Sequence, residues 1–166
     1  MKKILTLLCL ATAFHVSVFS QEFIVNKHNY HSQIASTTCS ATILNSKLYI
    51  AFQPQGTTQV RILVFSDASG ATLVNQFTSP GDGYKYPWIA AQDGSLYVAF
   101  TGADTHLNIV KVQVDGNGYP KALVDKRTSG ESSDVGSVLS STPTGLIITW
   151  QGKNAGASQV NVGSVK

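Results

Sequence analysis

The sequence is poor in charged residues. Only 13% of its 166 residues are Asp, Glu, Lys or Arg, and it holds two arginines, Arg61 and Arg127, and two glutamates. Its formal charge of +3 includes Lys2 and Lys3 in a leader-like segment, so the remainder carries only +1. Nucleic-acid binding depends largely on clustered basic side chains that neutralise phosphates. The composition therefore argues against a nucleic-acid partner.

Cysteine is nearly absent as well. The chain has two cysteines, and Cys9 lies in the leader-like segment, which leaves Cys39 without an intrachain disulfide partner. We expect Cys39 to be a small buried thiol in a strand. The alternative is an intermolecular disulfide.

Long hydrophobic runs are absent except at the N-terminus. Lys2 and Lys3 precede an apolar stretch from Ile4 to Phe19, and small or β-branched residues occupy the −3 and −1 positions before Gln21. This pattern predicts a signal peptide over residues 1–20 and a secreted or periplasmic domain over residues 21–166, with no membrane span after cleavage. The alternative is a membrane anchor, which needs about 20 predominantly apolar residues.

Helical periodicity is missing, and strand periodicity takes its place. Residues 59–65 and 107–114 alternate with period two and are rich in β-branched side chains. Clusters of Asp, Asn and Gly, such as Asn45-Ser46, Asp93-Gly94 and residues 115–118, separate the runs and supply the backbone conformations of tight turns. The sequence therefore predicts an all-β fold.

One strand occurs three times. Residues 47–52, 95–100 and 145–150 repeat the same pattern, and the spacing is 48 residues from Leu48 to Leu96 and 50 from Leu96 to Leu146. A period of this length indicates an array of supersecondary units. We predict three four-stranded repeats of about 48 residues, in units of roughly 22–65, 66–114 and 115–166. An aromatic residue ends each copy, and we expect all three to lie in the core: Phe52, Phe100 and Trp150.

The third repeat lacks its fourth strand, and Glu22–Lys27 is the candidate to complete it. A displaced terminal strand of this kind closes the ring of a β-propeller, which typically has 4 to 8 blades. Three blades would need a homodimer that completes a six-bladed ring, or a longer parent protein. The alternative fold is a β-trefoil, which also has three four-stranded repeats.

Residues 79–100 resemble blades of the sialidase-like propeller family, in which a Pro-x-Ile-Ala strand precedes an Asp-Gly-type turn and a Leu-Tyr-Val-Ala-Phe-like strand. Residues 66–72 are similar to the Asp-box turn of that family, although Asp67 directly follows Ser66 and Leu73 replaces an aromatic. The resemblance implies a propeller. Sialidases of the family use three arginines to grip a carboxylate, and two arginines are too few for a self-contained enzyme.

Candidate binding residues lie in the loops that a propeller gathers on one face. The middle repeat is the richest, and a further amide lies in the third repeat: Tyr84, Tyr86, Trp88, Asp104, His106 and Asn154. Aromatic rings with nearby carboxylates and amides suit sugars. In the alternative interpretation, Tyr86 and Trp88 only fill the gap between repeats.

The sequence indicates no catalytic residue, no cofactor and no metal, since His28 and His31 lack a third ligand within reach. We expect a secreted, non-catalytic binding module of propeller type whose partner is a glycan or an extracellular protein. The alternative function is a fragment or half-ring of a sialidase-like glycoside hydrolase.

Overall fold

A computed structural model describes residue 35 and residues 39–81, 83–152 and 159–165. These residues form three antiparallel sheets, which confirms the all-β prediction, with 4, 4 and 3 strands. Sheet 1 consists of β1 (Ser40–Leu44), β2 (Lys47–Phe52), β3 (Arg61–Phe65) and β4 (Leu73–Thr78). Sheet 2 consists of β5 (Lys85–Gln92), β6 (Ser95–Thr101), β7 (His106–Val114) and β8 (Pro120–Ser132). Sheet 3 consists of β9 (Ser137–Thr142), β10 (Gly145–Gln151) and β11 (Val160–Val165).

Each sheet is a meander in which consecutive strands are neighbours. The turns that join the first two strands of sheets 1 and 2 are the predicted Asn45-Ser46 and Asp93-Gly94. All four residues have positive φ, between 48° and 70°. Two central residues with positive φ match the right-handed twist of the flanking strands. The predicted segment Glu22–Lys27 lies outside the described residues.

The three similar sequence strands pair with their neighbours in a matching register. Ala51 pairs with Ile62 in sheet 1, Ala99 with Ile109 in sheet 2, and Thr149 with Val162 in sheet 3. These pairs therefore occupy equivalent positions, which allows burial to be compared between sheets.

The sheets lie face against face. Tyr49, Ile62 and Val64 of sheet 1 pack against Val98 and Val110 of sheet 2 in the largest core cluster. A second cluster joins sheets 2 and 3 through Ala90, Ala99, Ile109, Leu139 and Leu146. A third covers the outer face of sheet 1 and is centred on Phe52, Leu63 and Phe65. Successive side chains of a strand point to opposite faces of its sheet, and in sheets 1 and 2 both faces are buried.

The first strands of the three sheets lie next to one another. The backbone amide of Ile89 in β5 donates to Ser40 Oγ in β1 at 2.7 Å, and that of Ala91 donates to Thr42 Oγ1 at 3.2 Å. Ser141 in β9 donates to Gln92 Oε1 in β5 at 2.5 Å. Sheets 1 and 2 are therefore joined by β1 hydroxyls that accept from the backbone edge of β5, and sheets 2 and 3 by a hydrogen bond between two side chains.

Two expectations about single residues need correction. Cys39 is exposed and lies directly before β1, so it is not a buried thiol in a strand. Phe52 and Phe100 are buried, at 3% and 2% exposure, but Trp150 is only half-buried. Its indole borders two cavities. Within the described part of the chain, no helix has the length and apolar character needed to cross a membrane.

Candidate binding site

Loops at one end of the sheets are tied together by hydrogen bonds. In the first pair of loops, the amides of Gly83 and Tyr84 donate to Thr58, the latter to its carbonyl oxygen at 2.7 Å. In the second pair, the amide of Ser133 donates to the carbonyl oxygen of Thr105 at 3.0 Å. In sheets 1 and 2, the loop between the second and third strands therefore bonds to the loop that leads into the next sheet.

Tyr84 is the last residue of the loop before β5, and its side chain packs inward. Its ring centroid lies 4.5 Å from that of Phe100, with the two ring planes inclined by 54°. Phe100 is buried, so the Tyr84 ring helps to cover the core between sheets 1 and 2. Tyr84 was a candidate binding residue, and the geometry gives it a packing contact.

Tyr86 and Trp88 line a cavity with Trp150. Tyr86 has a φ of 53°, and the pairing of β5 with β6 shifts register between Lys85 and Trp88. The shift is a β-bulge, which redirects the side chains of the bulged strand. Gly136 has a φ of 87°, and a Cβ there would lie 2.5 Å from Tyr86 Cβ. A side chain at position 136 would therefore displace Tyr86.

The cavity has a volume of about 300 Å³. It lies at the junction of β5, β9 and β10, and its aromatic and polar lining consists of Tyr86, Trp88, Ser137, Thr149, Trp150 and Gln151. Gly136 and three valines complete the lining: Val135, Val138 and Val160. We call it the aromatic cavity. Its size and mixed lining fit a small sugar unit, whose ring face is apolar and whose edge is polar.

Two buried polar atoms in the lining of the aromatic cavity lack hydrogen-bond partners among the described residues. Ser137 is 6% exposed, and its Oγ forms no hydrogen bond within the described part of the chain. The same holds for Trp150 Nε1. Ser137 and Trp150 are directly opposite each other in the β9–β10 ladder. Buried polar groups without partners are uncommon and costly, so this pair is a candidate to bond a ligand.

Asp104 and His106 form a pair of their own. Asp104 Oδ2 lies 3.2 Å from His106 Nδ1, and Asp104 Oδ1 accepts a hydrogen bond from the His106 amide at 3.2 Å. That backbone hydrogen bond is the main cause of the lowered pKa of the Asp104 carboxyl. Neither residue lines the aromatic cavity. Asn154, the remaining candidate, lies outside the described residues.

Two further aspartates hold turns together. Asp67 Oδ1 accepts from the Ser69 amide at 2.8 Å in the turn between β3 and β4, and the turn ends at Gly70, whose φ is 72°. Asp115 Oδ1 accepts from the amides of Asn117 and Tyr119 at 2.8 and 2.9 Å in the turn between β7 and β8. The carboxylates at these positions therefore organise turns.

The two arginines do not line a common cavity. Arg127 in β8 lines two neighbouring cavities of about 300 and 250 Å³ between sheets 2 and 3. Arg61 lies in β3 of sheet 1, and its Nε donates to Thr78 Oγ1 at 3.3 Å. Among the described residues, no group of three His, Cys, Asp or Glu side chains is arranged to hold a metal ion.

The structure adds two residues to the site that the sequence did not indicate. Ser137 and Trp150 contribute the unpartnered polar atoms, yet Trp150 was assigned to the core because Phe52 and Phe100 occupy its equivalent positions. The available signal was the change from phenylalanine to tryptophan in the third repeat, which adds a hydrogen-bond donor at an otherwise apolar position.

No protein-family model matches the chain, and no curated protein matches it significantly.

Proposed function

We propose that the chain is a secreted, non-catalytic binding module that holds a glycan in the aromatic cavity. The observation that carries the proposal is the combination of three aromatic side chains with two buried, unpartnered polar atoms around one cavity of about 300 Å³. Rings offer flat faces to the C–H groups of a sugar, while its hydroxyls take hydrogen bonds. The Trp150 indole donates, and the Ser137 hydroxyl both donates and accepts.

The proposed architecture is a set of propeller-type repeats. Three observations support it over a β-trefoil: each sheet is a separate meander, the first strands of successive sheets adjoin, and the sheets stack face to face. In a propeller, loops at one end of the blades form the binding surface, and the aromatic cavity is built partly from the segment that leads into β9. The sialidase-like resemblance is consistent with this proposal.

The hydrolase alternative receives less support from the geometry. A sialidase-like site requires several guanidinium groups directed at one carboxylate. Here Arg61 and Arg127 lie in different sheets, and neither lines the aromatic cavity. A binding function requires no such convergence.

The test compares Trp150→Phe and Trp88→Ala with the unmodified chain on a glycan array, followed by calorimetry with the best ligand. Trp150→Phe removes the indole N–H donor but keeps an aromatic ring, and phenylalanine occupies the matching positions 52 and 100. We expect it to weaken binding about 3- to 10-fold, as the loss of one hydrogen bond would. Trp88→Ala removes a stacking surface and should weaken binding about tenfold or more.

Tyr119→Phe is the matched control, since it removes a phenol hydroxyl from a residue of the β7–β8 turn, away from the cavity. Its affinity should equal that of the unmodified chain. Glycan binding that is unchanged in both cavity variants, or absent from the unmodified chain, would overturn the proposal. Turnover of a fluorogenic sialoside would favour the hydrolase instead.

A further inference from the structure

Trp150 also lines a second cavity, which lies between sheets 2 and 3. This cavity has a volume of about 250 Å³ and is bordered by β7 and β8 on one side and by β10 and β11 on the other. We call it the outer cavity. Because Trp150 lines both the outer cavity and the aromatic cavity, its half-buried indole stands between two binding spaces.

The outer cavity coincides with a change of residue at a repeated position. Leu63 in sheet 1 and Val110 in sheet 2 are buried at the positions that match Gly163 in sheet 3. A Cβ at position 163 would lie only 3.3 Å from Trp150 Cζ3. The missing side chain therefore leaves room for the larger ring of Trp150 and for the outer cavity beside it.

The two walls of the outer cavity differ in chemistry. The apolar wall comes from sheet 3: Ile148, Trp150 and Gly163. The polar wall comes from the end of β8: Arg127, Ser129 and Glu131. A sugar ring packs its C–H face on apolar surfaces, while its hydroxyls bond to guanidinium, hydroxyl and carboxylate groups. The charged side chains among the described lining residues, Arg127 and Glu131, have opposite signs, which favours a neutral sugar over an acidic one.

The two cavities lie at the same end of the sheets. The aromatic cavity is lined by Gln151 at the end of β10 and by Val160 at the start of β11. The outer cavity is lined by Leu107 near the start of β7 and by Glu131 near the end of β8. A single chain of linked sugars can therefore occupy both cavities.

We propose that the outer cavity is a second sugar subsite and that the ligand is a neutral oligosaccharide with at least two linked units, one in each cavity. The linkage crosses the half-buried Trp150. This inference rests on the proposed glycan function and adds the length and the charge of the glycan. Linking two units makes the binding of the second one intramolecular, so a disaccharide should bind at least about tenfold more tightly than a single unit.

The first experiment uses calorimetry with three probes: the best-bound glycan of the array, its terminal disaccharide and its terminal monosaccharide. The disaccharide should bind at least about tenfold more tightly than the monosaccharide. Equal affinities would rule out the second subsite and leave glycan binding in the aromatic cavity intact. A best-bound glycan with a carboxylate or sulfate would contradict the preference for neutral sugars, and the absence of any glycan binding would overturn both proposals.

The second experiment locates the subsite by the ratio of the disaccharide and monosaccharide affinities. Arg127→Met removes the guanidinium from the polar wall and should reduce this ratio about 3- to 10-fold. Lys126→Met is the matched control, because it removes the same charge from the same strand. Lys126 Nζ lies 5.7 Å from the centroid of the Phe100 ring, on the side of sheet 2 that faces sheet 1. The control should keep the ratio of the unmodified chain.

A filled outer cavity gives an independent test. Gly163→Val is made in the Trp150→Phe background, which removes the indole atoms that a side chain at position 163 would contact. The double variant reproduces the combination of Phe100 and Val110 in sheet 2, so its circular dichroism spectrum should match that of Trp150→Phe alone. Relative to Trp150→Phe, it should remove the advantage of the disaccharide. A ratio that neither Arg127→Met nor the filled variant lowers would overturn the outer cavity as a subsite.

Discussion

At the residue scale, Trp150 has a different environment from the phenylalanines at the matching positions of the other two sheets. Phe52 and Phe100 occupy matching positions near the end of the second strand in sheets 1 and 2 and are buried, while Trp150 occupies that position in sheet 3 and borders two cavities. The larger indole also brings a polar atom that the phenylalanines lack. One position thus serves packing in two sheets and, in our proposal, binding in the third.

This difference predicts unequal stability effects. Phe100→Ala should lower the free energy of unfolding by about 3–5 kcal/mol, because it removes a buried ring from the core between sheets 1 and 2. Trp150→Ala should cost about 1–3 kcal/mol, since its ring is only half-buried. Urea denaturation of both variants measures the two values. Equal losses would contradict the assignment of Trp150 to the cavity wall.

At the element scale, the turn between β7 and β8 depends on one carboxylate. The Asp115 carboxyl has a pKa below its ordinary value of 3.8, chiefly because it accepts the hydrogen bond from the Tyr119 amide. A lowered pKa in the folded state means that the ionised form stabilises the turn. This contribution is complete above the pKa of the unfolded chain and is lost as the pH falls through the folded-state pKa.

Asp115→Asn should therefore destabilise the protein at pH 7 and have progressively less effect below about pH 4. Thermal melts of the variant and the unmodified chain, recorded between pH 7 and pH 3, measure the difference. Asp93→Asn is a suitable control. Asp93 lies in the turn between β5 and β6, where it adopts a positive φ of 48° that asparagine can also adopt. A difference that is constant with pH would refute the role of the charge at position 115.

The strands and turns could largely be predicted from the sequence. Alternating strands and Asp, Asn and Gly turns follow from local chemistry, so the strand pattern and the Asn45-Ser46 and Asp93-Gly94 turns could be predicted. The aromatic cavity could be predicted only in part. Tyr86 and Trp88 were identified by composition, whereas Ser137 and Trp150 join them through the packing of β9 against β5, which local sequence does not encode.

At the scale of the whole molecule, sheets 1 and 2 are bonded to each other through their first strands, β1 and β5. Ser40 and Thr42 accept hydrogen bonds from the backbone amides of Ile89 and Ala91, which face away from β6. These two amides therefore take their hydrogen-bond partners from a different sheet. Their partners are lost if sheets 1 and 2 separate, even while each sheet remains intact.

Amide hydrogen exchange can use these two positions to detect separation of the sheets. Protection of Ile89 and Ala91 should report the docking of sheet 1, while protection of residues in the interior of β6 should report unfolding of sheet 2 itself. Ser40→Ala should speed exchange at Ile89 and leave β6 unchanged, as measured by NMR. If Ile89 and the β6 amides exchange at one common rate in both proteins, the two sheets open as a single cooperative unit.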